Sequence, residues 1–184
     1  MAEEERSGFE LKRVKRSELL AFLGAIVLAV SLFVAPWFST DCPTRKAAHA
    51  ARQPGTGHCD RNSQLKLASG QLRYGSYSGW QVYKFVRWAL LAACIAPFVL
   101  AYIIARGHEL SWRPGEVTMI IGIVAIALIL LDGIILGRPG NKEKYGVEIS
   151  IEYGYFIGIA GAFLMSFGGF RRQAEQAKPQ PPGV

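Results

Sequence analysis

The chain has 184 residues, of which 51% are hydrophobic and 19% charged, and its formal net charge is +7 at pH 7. The charges are confined to segments between long apolar runs, which excludes a soluble bundle, because each helix of such a bundle carries a polar face. The basic residues border those runs on both sides, so the net charge does not indicate nucleic-acid binding.

Four apolar runs are long enough to cross about 30 Å of hydrocarbon as helices. Lipid offers no hydrogen-bond partners, so a run that is isolated in it has to close its own backbone bonds as a helix. The first run is too long for a signal-peptide core and lacks a small-x-small cleavage site, so it is kept as a span. The predicted fold class is an all-α membrane protein, a four-helix bundle with transmembrane spans at 19–38, 88–105, 117–137 and 153–170.

The spans divide the chain into three parts. Residues 1–18 form a basic N-terminal segment, 19–172 form the transmembrane domain with a long outer loop at 39–87, and 173–184 form a tail too polar and proline-rich to pack. An even number of spans places both termini on one side of the membrane.

The basic residues predict which side that is. Lys and Arg total ten on the side of the termini and eleven on the other, so the totals do not decide. Local density does, because a basic cluster directly precedes the first span, which usually dominates the orientation. We therefore place both termini in the cytoplasm. The cluster, which we expect to contact lipid headgroups, consists of Lys12, Arg13, Lys15 and Arg16.

The outer loop holds two cysteines, Cys42 and Cys59. Outside the cytoplasm they can close a disulfide, which is the preferred interpretation. The alternatives are free thiols, or a metal site that adds His49 and His58, although the spacing matches no tight ligand pair. The prediction includes no metal and no cofactor.

Two further segments of the connections have strand-like patterns. Residues 65–68 and 71–74 alternate around Ser69 and Gly70, which predicts a β-hairpin. The stretch VEISIEY allows a third strand, but we favour a cap at Ser150 for the fourth helix, with Glu152 complementing its dipole.

Aromatic residues cluster at the outer membrane level. Amphipathic rings favour the headgroup region, so an aromatic belt is the preferred interpretation, and a surface for a sugar or a lipid headgroup is the alternative. These residues are Trp37, Phe38, Trp80, Tyr83, Trp88, Tyr153 and Tyr155.

Small residues recur at i+4 spacing along the spans. They allow helix backbones to approach closely, either within one bundle, which we favour, or across a dimer interface. The predicted packing positions are Gly154, Gly158, Ala162, Ser166, Gly133 and Gly137.

Asp132 is the one charged residue within the four runs. It lies near the outer boundary, at the level where Arg87 begins the second span, so we expect an intramembrane Asp132–Arg87 ion pair, with Lys84 as a substitute partner. The alternatives are a ligand or ion contact on the outer face and a transmembrane relay. A relay needs further ionisable groups across the membrane, and the spans offer few.

No catalytic constellation is found, because the histidines are scattered and no nucleophile has a base nearby in sequence. Glu148 and Glu152 would lie one helical turn apart, but a solvated helix start explains them better than acid/base chemistry. We expect a non-catalytic envelope accessory or interaction protein, whose partners are the bilayer and a second copy or another membrane protein. The alternative is a small transporter or channel that uses Asp132.

Three features carry a resemblance: a first span that ends in APWF, a long outer loop, and YSGWQVYKFVRWALL at the entry to the second span. Residues 17–172 resemble a group of small four-span integral membrane proteins of bacteria, frequent in actinobacteria. The resemblance implies a bacterial plasma membrane. The layout is also similar to that of claudins, with four spans and a large first outer loop that carries a disulfide, as an architectural analogy only.

Overall fold

A computed structural model describes residues 16–40, 65–73, 75–106, 113–135 and 149–176. The described part is mostly helical, as predicted. It also contains a small sheet, which the all-α class omits. Its helices are α1 (Arg16–Phe33), a short α2 (Gly79–Val82), α3 (Val86–Ala105), α4 (Pro114–Leu130), which continues as a π-helical turn (Leu131–Ile135), and α5 (Tyr153–Gln176).

Three helices are long and apolar enough to cross a membrane: Val86–Ala105, Pro114–Gly133 and Tyr153–Glu175. The predicted first span corresponds to α1, which is shorter because it ends at Phe33 rather than at residue 38. Pro36 has no backbone N–H to donate, and a residue that precedes proline is disfavoured in the helical region, so the chain leaves the helix although the apolar run continues.

The strands lie at the end of the molecule where α1 ends and α5 begins. β1 (Pro36–Thr40) is the central strand of an antiparallel sheet, with β4 (Ser76–Ser78) on one side and β5 (Ile149–Ile151) on the other. β5 therefore occupies the segment in which we had favoured a helix cap at Ser150, and that preference is wrong: Ser150 pairs with Ser39, and α5 begins only at Tyr153.

The predicted hairpin is present between β2 (Leu65–Lys66) and β3 (Leu72–Arg73). Gly70 in its turn has φ +82°, a left-handed conformation that favours glycine. The hairpin is fixed to α2 by a hydrogen bond from the backbone N–H of Ala68 to the carbonyl oxygen of Gln81 at 2.7 Å.

The helices pack through glycine. α5 lies along both α1 and α4, and α3 contacts α1 and α4 less extensively. A Cβ atom at Gly24 of α1 would lie 2.5 Å from the backbone nitrogen of Met165, and one at Gly161 of α5 would lie 2.7 Å from that of Leu28. At Gly169 of α5 it would lie 2.5 Å from the backbone nitrogen of Met119 in α4. No side chain fits between these backbones, so glycine sets the distance between the helices.

Candidate functional site at the sheet end of the helices

Trp37 of β1 folds back onto the end of α1. Its indole Nε1 donates to the carbonyl oxygen of Ser31 at 2.8 Å and to the Ser31 hydroxyl at 3.0 Å. That hydroxyl donates in turn to the carbonyl oxygen of Gly154 in α5 at 2.5 Å. The last carbonyls of a helix lack intrahelical donors, so Trp37 supplies one that the backbone does not. These bonds join β1, α1 and α5 at one point.

Four buried aromatic rings surround this point, those of Trp37, Phe38, Tyr83 and Tyr155. Trp37 meets Tyr83 and Tyr155 edge to face, with ring centroids 5.7 Å apart in both pairs. Phe38 meets the same two tyrosines at 5.8 Å and 6.0 Å. Such pairs contribute about 0.5–1.5 kcal/mol each beyond the burial of area. Part of the predicted aromatic belt is thus a closed core beneath the sheet.

Asp132 lies in the π-helical turn at the edge of this core and is half-buried. Its carboxylate is close enough to Tyr83 and Tyr155 to act on both phenols electrostatically. The Tyr155 hydroxyl donates to the carbonyl oxygen of Ile129 at 3.0 Å. A π turn interrupts the regular helical bonding, so this hydroxyl supplies a donor where the backbone pattern changes. At Gly133 a Cβ atom would lie 2.5 Å from Cε2 of Tyr155, which places the ring directly on the helix backbone.

The Tyr83 hydroxyl has no such partner. It is buried in the connection between α2 and α3, and nothing in the described part of the chain accepts or donates a hydrogen bond to it. Burial raises the pKa of Tyr83 well above its usual value, and the negative charge of Asp132 and the phenol of Tyr155 raise it further. The phenol therefore stays protonated at neutral pH. Its hydroxyl keeps a hydrogen-bond donor that Asp132 influences electrostatically.

Arg87 does not form the predicted ion pair with Asp132 in the structure. Its guanidinium lies over two indole rings, 5.1 Å from the centroid of Trp80 and 5.4 Å from that of Trp88. Nη1 donates to the carbonyl oxygen of Trp80 over a long distance of 3.4 Å. Lys84, the substitute partner, lies over the ring of Phe85 at 5.5 Å. Both cations thus belong to an aromatic surface and not to the carboxylate.

Glu152 fastens the start of α5 to the sheet. Its Oε1 accepts from the Ser39 hydroxyl at 2.5 Å, and its backbone N–H donates to the carbonyl oxygen of Trp37 at 2.9 Å. Glu148 lies outside the described residues, so the acid pair with Glu152 stays a hypothesis.

The opposite end of the molecule carries polar contacts that sequence reasoning missed. Arg172 of α5 and Glu18 of α1 form a buried ion pair, and the Ser17 hydroxyl donates to Oε2 of Glu175 at 3.2 Å. The sequence did contain a signal for this pair. Glu18 directly precedes the first apolar run and Arg172 follows the last, and antiparallel packing of α1 and α5 brings the two to one level. Gln173 of α5 also donates from Nε2 to Oε1 of Glu116 in α4 at 3.0 Å.

The predicted packing positions that the structure describes are mostly buried. Gly154, Gly158 and Ala162 are buried, as is Gly133, and Ser166 is half-buried. The Ser166 hydroxyl donates to the carbonyl oxygen of Met119 at 3.4 Å. Sequence reasoning missed other close helix contacts, among them those at Gly24, Gly161 and Gly169. These glycines are also small residues within the spans, but they lie off the i+4 series that were predicted.

Several predicted positions lie outside the described residues: Cys42, Cys59, Gly137, Lys12, Arg13 and Lys15. The disulfide, the metal alternative and the headgroup contacts therefore stay predictions. Arg16 is the first residue of α1. Cys94, the cysteine in the described segments, is free and buried in α3.

Comparisons of this chain with models of protein families, with curated proteins and with solved structures find no match. The geometry of the chain itself therefore carries the functional argument.

Proposed function

We propose that this chain is a non-catalytic integral membrane protein with four spans, α1, α3, α4 and α5, and both termini on the cytoplasmic side of a bacterial plasma membrane. In this proposal it acts as an accessory or interaction protein of the envelope. The sheet end carries the contacts with a protein partner or with a second copy.

The observation that carries the proposal is the distribution of side-chain size. Glycine lies at the closest contacts between helices, and large apolar side chains point outward from every long helix as well as into the core. A water-soluble helical protein carries polar residues on its outer helix faces instead. An outward apolar surface of this extent suits lipid. Examples are Leu23 and Val30 of α1, Phe98 of α3, Ile123 of α4, and Phe156, Phe163 and Phe170 of α5, which are 43–62% exposed.

The fourth span rests on how α1 runs beside α5. α1 has 18 residues and is about 27 Å long at about 1.5 Å per residue, close to the hydrocarbon thickness of about 30 Å. Ser17 contacts Glu175 at one end of the pair, and Ser31 contacts Gly154 at the other. A helix that lies antiparallel to a span from end to end crosses the same layer.

The interaction role rests on the construction of the sheet end. Strands β1, β4 and β5 come from three separated segments, are hydrogen-bonded to one another and pack on the aromatic core, so these described strands have a fixed arrangement beyond the helices. A fixed surface outside the bilayer suits a binding role because little ordering entropy is lost on association.

Site-specific photocrosslinking tests this role. A photoreactive residue is introduced at Gln71, which is exposed at the hairpin turn, and in a control variant at Arg113, which is exposed at the opposite end. We expect one defined product from position 71, identified by mass spectrometry as a second copy or as a membrane protein. Purification as a partnerless monomer, with no discrete product from position 71, would contradict the proposed role.

The second candidate is a transporter or channel, and one observation favours it: Asp132 acts electrostatically on Tyr83, whose buried hydroxyl has no hydrogen-bond partner in the described residues. Ion or solute flux in proteoliposomes that Asp132→Asn abolishes, and that Ser39→Ala leaves intact, would support this candidate. Flux that is unchanged in Asp132→Asn removes the carboxylate from the mechanism.

A further inference from the structure

A basic aromatic surface, formed by Trp80, Lys84, Phe85, Arg87 and Trp88, surrounds the start of α3. The Trp80 and Trp88 rings meet edge to face with centroids 5.2 Å apart, and the Arg87 guanidinium lies over both. Cation–π contacts fix the position of a guanidinium without using its hydrogen-bond donors.

Within the described segments, most donors of Arg87 have no partner. A guanidinium has five N–H groups, and its described contact is the long bond from Nη1 to the carbonyl oxygen of Trp80. Nε is buried and has no hydrogen-bond partner in the described residues, where no carboxylate lies within ion-pair distance of Arg87 either. A positioned guanidinium with free donors suits the oxygens of a phosphate group.

The surroundings favour an anion. Lys84 is exposed and adds a second positive charge three residues before Arg87. α3 begins at Val86, and its N-cap residue Phe85 makes no side-chain cap. The positive end of the helix dipole therefore lies beside the same residues.

The apolar part of the surface indicates that the phosphate belongs to a lipid. Phe85 is 78% exposed and Trp88 is 56% exposed, and Val34 at the end of α1 is 75% exposed. Aromatic side chains at the end of a span lie at the headgroup level, with their apolar parts toward the acyl chains. A soluble phosphate compound would leave these side chains in water.

We propose that the basic aromatic surface binds the headgroup phosphate of an anionic phospholipid in the leaflet at the sheet end of the molecule. Arg87 and Lys84 contact the phosphate, while Phe85 and Trp88 contact the upper acyl chains. The inference rests on the membrane position given under Proposed function. Each basic group near an anionic surface contributes a factor of about five in affinity, so the two together favour anionic over zwitterionic lipid.

Fluorescence quenching by brominated lipid tests the proposal. The full chain is reconstituted into vesicles of equal parts phosphatidylglycerol and phosphatidylcholine, in which either one lipid or the other carries bromine. The difference between wild type and Trp88→Phe isolates the signal of Trp88. We expect stronger quenching when the bromine is on phosphatidylglycerol. Lys84→Gln should reduce this preference roughly fivefold, and Lys84→Gln with Arg87→Gln should remove it.

Arg106→Gln is the matched control. The Arg106 guanidinium lies 4.8 Å from the ring centroid of Tyr102 at the other end of the same helix, so its removal takes away the same charge and the same type of contact at the far leaflet. The lipid preference of Trp88 should stay unchanged in this variant.

Each contrary outcome has a separate meaning. Equal quenching by both brominated lipids in wild type, or a preference that survives in both Lys84→Gln and the double variant, overturns the lipid site and leaves the proposed function standing. Failure of the wild-type chain to float with the vesicles overturns the membrane position itself, and the lipid site with it.

Discussion

The two tyrosines beside Asp132 differ in what their hydroxyls contact. The hydroxyl of Tyr155 donates to the carbonyl oxygen of Ile129, whereas that of Tyr83 is buried without a partner in the described residues. A hydrogen bond contributes about 0.5–1.5 kcal/mol to stability, and a buried unpartnered hydroxyl costs about 1–3 kcal/mol. The same chemical change at the two positions should therefore have different effects.

We expect Tyr155→Phe to lower the free energy of unfolding by about 1 kcal/mol, because the Ile129 carbonyl loses its donor. Tyr83→Phe should leave this free energy unchanged or raise it, because it removes a buried hydroxyl that has no hydrogen-bond partner among the residues that the structure describes. Equilibrium unfolding in detergent measures both. A loss at Tyr83 as large as that at Tyr155 would contradict the assignment of the Tyr83 hydroxyl as unpartnered within the described residues.

The raised pKa of Tyr83 also predicts a dependence on alkaline pH. The unfolded chain releases the phenol proton near its usual pKa of about 10, while the folded chain retains it. The folded state then binds more protons, so its stability falls as the pH rises above about 10. We expect this fall to be smaller in Tyr83→Phe than in wild type or in Tyr102→Phe, a control at a half-exposed tyrosine. Thermal melting at several pH values measures how steeply the stability of each protein falls with pH. Equal slopes in all three proteins would contradict the raised pKa of Tyr83.

The sequence predicted one membrane level for Asp132 and Arg87 but not the contacts of Arg87 with Trp80 and Trp88. Counting residues from the end of a span gives the depth of a side chain. It does not give the direction in which the side chain points around the helix, and the π turn changes that direction at Asp132. The guanidinium of Arg87 instead contacts the indole rings of Trp80 and Trp88, which are close to it in sequence.

At the level of elements, α1 and α5 form the closest pair because glycine lies in their contact. We expect Gly161→Ala to destabilise the protein by about 1–3 kcal/mol, since the new methyl group would lie 2.7 Å from the backbone nitrogen of Leu28 and force the helices apart. Ala160→Val, at the preceding residue on the exposed face of α5, adds more volume and should be tolerated. Equilibrium unfolding measures the free energy of unfolding of both variants. Equal losses in the two would contradict the conclusion that glycine at 161 sets the distance between α1 and α5.

The helices were the predictable elements and the sheet was not. The lengths of the apolar runs predict the number and approximate positions of the long helices, because this prediction needs only local composition. β1 follows the first helix within one continuous apolar run, and its partner β5 lies far along the chain. The alternation in VEISIEY was visible, but which strand it would pair with depends on how the helices bring the segments together. The hairpin of β2 and β3 could be predicted because its partners are neighbours in sequence.

For the whole molecule, the four-span proposal makes a prediction about sidedness. After replacement of the native cysteines, a single cysteine is placed at the exposed position Gln71 or at the exposed position Ala174. A membrane-impermeant maleimide should label Gln71→Cys in intact cells and should label Ala174→Cys only after permeabilisation. Labelling of both positions in intact cells would contradict a membrane between them, and the reverse pattern would invert the orientation.

The pairing of α1 with α5 has a consequence for biosynthesis. α1 leaves the ribosome before the other long helices that the structure describes, yet its closest neighbour is the helix synthesised last among them. Until α5 emerges, Glu18 lacks Arg172 and the glycine-bearing face of α1 lacks the surface that fits it. In the four-span proposal, the insertion machinery or the lipid shelters α1 during that interval. Ribosomes that stall before α5 is complete would release a product with this face uncovered, which membrane proteases can recognise.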